Sequence, residues 1–109
     1  MRQRLDTPAN AFVLLLVGRM EELKGHRALI SATAELCSTR DVYCWIVGGP
    51  QRHSERRYFS KLTGMVADLG IEDRVRFLGE RTDVSDLYAS ADLYCQPNTK
   101  PEGFGVTFV

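Results

Sequence analysis

The sequence is short of cysteine, has no net charge and contains no long apolar run, and each shortage removes a class of protein. Cys37, Cys44 and Cys95 are an odd set in apolar stretches without CxxC spacing, so they read as buried free thiols rather than a disulfide framework or a metal site. Free thiols fit a reducing compartment, and a cytoplasmic location is expected. His26 and His53 have no Cys or His at ligand spacing and read as structural or surface residues. With 14 basic and 14 acidic residues the formal charge is zero. No overall field therefore favours nucleic acid or an anionic membrane as partner, and any anion site must be local.

The longest apolar run, Ala11 to Val17, is too short to span a bilayer. Residues 1–10 are polar, include Pro8, and lack the apolar core and small-residue cleavage site of a signal peptide. They are expected to be a linker, with the domain running over residues 11–109. Neither a GxGxxG fingerprint nor a P-loop is present, so NAD and ATP lack their strongest support. Gly48-Gly49-Pro50 is a weak signal, because many strand-to-helix turns need glycine for geometry alone.

What is present is ordinary globular material. At 109 residues, 44% hydrophobic and 26% charged, the chain has the length of one domain with its own core and not of a two-domain enzyme with an interdomain cleft. Ala11–Val17 is continuously apolar up to Gly18, as in a strand covered on both faces. From Gly25 to about Thr39 a helix is expected, with Ala28, Leu29, Ala32 and Leu36 as its apolar face. Asp41–Val47 is a second strand ending at the glycine pair. Ser54–Leu69 is a second helix, with Ser54 as its cap, Tyr58, Leu62, Met65, Val66 and Leu69 on one face, and Gly70 as its stop.

Arg74–Leu78 is a third strand, Asp83–Ala89 a short capped helix, and Asp92–Gln96 a fourth strand stopped by Pro97. Gly103–Val109 is expected to open another helix that the chain leaves unfinished. Strands alternating with helices imply an α/β, Rossmann-like, doubly wound parallel sheet of about four strands in the order 3-2-1-4.

In such a sheet the ligand crevice lies outside the carboxyl ends of the strands where the order reverses, here between strands one and four. The loop after strand one offers Arg19 and Lys24 on a glycine-bounded turn before a helix. A guanidinium, an ammonium and helix amides suit a diphosphate and would oppose negative charge on a departing one. Surface Arg and Lys are ordinarily just solvated charges, and it is their place at the crevice that favours binding. The loop after strand four carries Glu102-Gly103-Phe104-Gly105, where a carboxylate can accept hydrogen bonds from sugar hydroxyls and glycines permit close backbone approach. A simple complement to a helix dipole is an equal reading of Glu102 taken alone.

Taken in order, Gly18-Arg19 with Lys24-Gly25, Ile46-Val-Gly-Gly49, Val75-Arg-Phe-Leu-Gly79, Ala91-Asp-Leu93 and Pro101-Glu-Gly-Phe-Gly105 resemble the C-terminal, donor-nucleotide-binding domain of the GT-B-fold, group-1 retaining glycosyltransferases. The resemblance covers Ala11 to Val109 and implies a truncated half of a GT-B fold. It implies that Gly18, Arg19 and Lys24 hold the diphosphate of a nucleotide-sugar donor and that Glu102 contacts the transferred sugar, with Arg19, Lys24 and Glu102 as the catalytic set. It further implies backbone contacts from Gly103, Phe104 and Gly105, base contacts around Glu80 and Arg81, and no metal or other cofactor. The family's second glutamate, which holds the ribose, would fall just beyond Val109.

The same resemblance implies an acceptor bound by an N-terminal domain absent from this sequence, weak donor affinity, no transfer by this chain alone, and self-association through apolar surface left uncovered. Peripheral docking of the whole enzyme at a membrane stays open, as does the identity of base, sugar and acceptor. Two other functions also remain: a non-catalytic, flavodoxin-like binding or regulatory module, and a GT-B-related epimerase or phosphorylase. The first would want an acidic cluster after strand one, where this sequence has the basic Gly18-Arg19-Met20.

Overall fold

A computed structural model describes residues 1–20, 25–50, 52–96 and 105–108, with backbone alone at 96 and 105–108. The elements run β1 (Phe12–Val17), α1 (His26–Cys37), β2 (Val42–Val47), α2 (His53–Leu69), β3 (Val75–Gly79), α3 (Val84–Ser90), β4 (Leu93–Gln96) and β5 (Gly105–Phe108). They form one sheet in the order β3-β2-β1-β4-β5. The first four strands are parallel, in the expected 3-2-1-4 order.

The sheet separates two cores because successive side chains of a strand point to opposite faces. Leu14 and Leu16 of β1 join Cys44 and Ile46 of β2, Val75 of β3 and Cys95 of β4 under α1 and α2. Val13 and Leu15 join Trp45 and Val47 on the other face, beneath Leu87 of α3. The unbroken apolar runs of β1 and β2 thus serve both layers at once.

Local corrections follow from side chains finding better partners than the sequence suggested. The buried face of α1 is His26, Leu29, Ile30 and Thr33, whereas Ala28 and Ala32 are exposed and Leu36 is 37% exposed. Thr33 can be buried because its hydroxyl donates to the Leu29 carbonyl at 2.8 Å within the helix. His26 is buried edge-on against Tyr58, with ring centroids 5.5 Å apart. Ser54 does not cap α2: the cap position is Arg52, without a side-chain cap bond. Gly70 does end α2, in the left-handed conformation at φ 69°.

Residues 1–10, expected as a linker, are folded onto the domain. Arg2 donates to the carbonyls of Ser90, Ala9 and Ala11 and to the Asp92 carboxylate, which also accepts the Val13 backbone N–H at 2.8 Å. Buried Trp45 donates its indole N–H to the Thr7 hydroxyl at 3.1 Å, and Met1 and Leu5 pack against the core that Trp45 belongs to.

The segment expected to begin a helix is also different, since Gly105–Phe108 is strand β5, antiparallel to β4 from Leu93↔Phe108 to Gln96↔Gly105. Val106, Thr107 and Phe108 are of β-favouring types. The edge of β4 offers unpaired backbone groups that a strand satisfies and a helix does not. Among the described residues no helix is long and apolar enough to cross a membrane.

Candidate functional site

The carboxyl ends of β1, β2 and β3 converge on a cavity of about 620 Å³. Its borders come from three successive strand exits: Gly18 and Arg19 after β1, Gly48 and Gly49 after β2, and Glu80, Arg81 and Thr82 after β3. Arg52 and Glu55 close it from the start of α2. The crevice was expected between strands one and four; what the structure describes is its side toward β2 and β3, because the loop leaving β4 lies outside the described residues.

Gly48 is there because the strand exits touch. Gly48 has φ 117°, and a Cβ built on it would stand 1.9 Å from the Gly18 carbonyl oxygen. Gly18 N–H donates to the Val47 carbonyl at 3.1 Å, and Gly48 N–H to the Gly79 carbonyl at 2.8 Å, so the three exits are bonded side by side. Backbone without side chains therefore forms part of the cavity wall, and bulky groups can approach it closely.

Charge is arranged around that wall. Arg19 is exposed at the rim. Arg81 makes a two-pronged ion pair with Asp83, Nε to Oδ1 at 2.9 Å and Nη2 to Oδ2 at 2.7 Å. That bond holds the Asp83 carboxyl below its ordinary range and raises the Arg81 guanidinium further. Glu55 is buried, with a carboxylate oxygen 3.9 Å from Arg52 Nε. A second cavity of about 420 Å³, lined among others by Arg52, Arg57 and Lys61, adjoins the first through Arg52 and Glu55.

Of the residues singled out from the sequence, Gly18, Arg19, Glu80 and Arg81 are brought together on this one cavity. Lys24, Glu102, Gly103 and Phe104 lie outside the described residues, and Gly105 opens β5. Arg52, Glu55 and Thr82 were not anticipated. Glu55 is the least legible, since a carboxylate on the polar side of an apolar helix pattern ordinarily faces solvent. Among the described residues no group of three or more His, Cys, Asp or Glu side chains is placed to hold a metal ion. Cys44 and Cys95 are buried in the core, whereas Cys37, also expected to be buried, is half-buried at its edge; burial pushes Cys44 up to about 12 and keeps it protonated at neutral pH.

The whole of residues 1–109 matches the family model of glycosyl transferases group 1. The chain is 40% identical over 93 residues to the lipopolysaccharide core biosynthesis glycosyltransferase LpsE of Rhizobium meliloti, covering 85% of this chain and 25% of that protein. It is 38% identical over 112 residues to the D-inositol 3-phosphate glycosyltransferase of Salinispora tropica, covering 96% of this chain and 23% of the relative. The crystal structure of Anabaena HepE in complex with UDP and glucose superposes with a TM-score of 0.83 at 36% identity, over 95% of this chain and 27% of that one. The chain thus spans about a quarter of the length of the curated relatives it matches. It belongs to the glycosyl transferases group 1 family.

Proposed function

We propose that this chain is the C-terminal, donor-nucleotide-binding domain of a retaining glycosyltransferase, which moves a sugar from a nucleoside diphosphate to an acceptor. The observation that carries this reading is the cavity at the strand ends, lined by Gly48 and Gly49 and by the basic residues Arg19 and Arg81. A guanidinium presents paired donors that match phosphate oxygens, and it keeps its charge at every physiological pH. HepE, which holds UDP and glucose in its crystal structure, superposes over nearly all of this chain and supports a nucleoside diphosphate as ligand.

In this reading Arg19 and Lys24 hold the diphosphate. When the bond from the sugar's anomeric carbon to the phosphate oxygen breaks, negative charge grows on the leaving diphosphate, and the two cations stabilise it more than they stabilise the intact donor. Their charge takes the place a divalent metal would otherwise fill. Glu102 accepts hydrogen bonds from sugar hydroxyls, the backbone at Gly103, Phe104 and Gly105 lies against sugar and phosphate, and the base sits toward Glu80 and Arg81. The acceptor is held by a domain outside this chain, consistent with the share of each relative that the chain covers.

Calorimetric titration with UDP and GDP tests this. Arg19→Ala is expected to weaken binding by about tenfold, roughly 1.4 kcal/mol, as for loss of one exposed charge-assisted contact. Equal affinity in the variant and the parent would remove Arg19 from the site, and no binding by the folded protein would count against the donor-site reading as a whole.

A further inference from the structure

Asp83 stands just before α3, where an aspartate ordinarily accepts an N–H of the first helical turn. It makes no such bond here. Both of its oxygens are turned instead to Arg81. A side-on fork of this kind fixes the plane of the guanidinium and occupies its Nε edge. The Nη end is left, and it can donate hydrogen bonds but never accept one. The pair is partly exposed, 26% for the Arg81 side chain and 31% for Asp83. Arg81 also borders the cavity, whereas Asp83 does not line it. The fork therefore reads more readily as a way to aim Arg81 than as a structural brace.

We propose that Asp83 is a positioning residue that acts through Arg81, presenting a donor-only guanidinium end to the base of a bound nucleoside diphosphate and favouring bases with an oxygen at pyrimidine C4 or purine C6 over those with an amino group there. This rests on the donor-site reading above. Uracil offers O4 and guanine O6 where cytosine and adenine carry amino groups, and an amino group facing a guanidinium leaves two donors opposed. Asp83 itself touches no ligand.

The test is calorimetric titration of the 109-residue chain with UDP, CDP, GDP, ADP and inorganic pyrophosphate. The parent protein is expected to prefer UDP over CDP, and GDP over ADP, by about tenfold. Asp83→Asn, which keeps shape but weakens the fork, should bring both ratios toward one and leave pyrophosphate affinity unchanged. Asp83→Glu should recover part of the preference. Arg81→Met, which keeps the length of the side chain but removes every donor, should abolish it. A purely structural role would move the melting temperature and not the ratios.

Unchanged ratios in Asp83→Asn, or no preference in the parent protein, would overturn the inference while leaving a diphosphate site standing. Failure of the parent protein to bind any of the five ligands would overturn the donor-site reading and this inference with it.

Discussion

Gly48→Ala is expected to destabilise the protein by about 3 kcal/mol or more, the combined scale of a strained backbone and an overpacked contact. Its φ of 117° is one that residues with a Cβ rarely adopt, and the added carbon would fall 1.9 Å from the Gly18 carbonyl oxygen. Neither side can yield easily. Gly18 is bonded to Val47 and Gly48 to Gly79 through the backbone, so relief would have to pull apart the ends of three strands. Gly49→Ala is the control: a Cβ there meets nothing nearer than 3.6 Å, and the cost should stay below about 1 kcal/mol. Urea unfolding of the two variants checks this, and equal midpoints would show that the exits do not press on one another. Because the same contact shapes the cavity wall, Gly48→Ala should also impair nucleotide binding more than its stability loss accounts for.

Trp45→Ala should cost about 3–5 kcal/mol, the usual range for emptying a large aromatic site. Trp45 is fully buried on the interior strand β2. For a domain of this size that corresponds to a fall in melting temperature on the order of 15–30 °C, a large part of the stability such domains possess. Trp45→Phe should cost roughly half as much or less, since it keeps most of the apolar volume. It would still remove the N–H that the Thr7 hydroxyl accepts, so limited proteolysis should find residues 1–10 more accessible in Trp45→Phe than in the parent. A Trp45→Ala protein that melts within a few degrees of the parent would mean that α3 and the first ten residues contribute little to the fold.

The first four strands were legible because each is a short apolar or alternating stretch closed by glycine or proline, and the order 3-2-1-4 follows from handedness once they alternate with helices; β5 was not, because its glycine-led start also fits a helix opening. The buried face of α1 was not, because a hydrophobicity count sets Thr33 and His26 outside the core, while the structure satisfies the first within its own helix and seats the second against Tyr58. The short helix expected to be capped has Asp83 at its cap position but no side-chain cap bond, because Arg81, two residues earlier, takes both oxygens of that carboxylate. The packing of residues 1–10 depends on partners remote in sequence, Arg2 with Asp92 and Thr7 with Trp45, which local composition cannot reveal.

The candidate site divides along the same line. Arg19 could be placed at the strand ends by topology, because loops at that edge of a doubly wound sheet face the ligand crevice, whereas Glu80 and Arg81 were reached only through the resemblance to a family. The contributions of Arg52 and Glu55 depend on where the first turn of α2 comes to rest, and nothing in their local pattern separates them from the other charges of that helix. The tight crossing of Gly48 over Gly18 was visible only as a glycine pair of the kind any turn can contain.

The most direct test of the cavity as a nucleoside diphosphate site is to add UDP to isotope-labelled protein and follow the backbone amide resonances. Progressive, saturable shifts at Gly18, Arg19, Lys24, Gly48, Gly49, Glu80 to Thr82 and Gly103 to Gly105, and none at the opposite end of the sheet around Asp41 and Arg74, are the expected result. Shifts that cluster elsewhere, or none at UDP concentrations of several millimolar on the scale of weak binding, would contradict it.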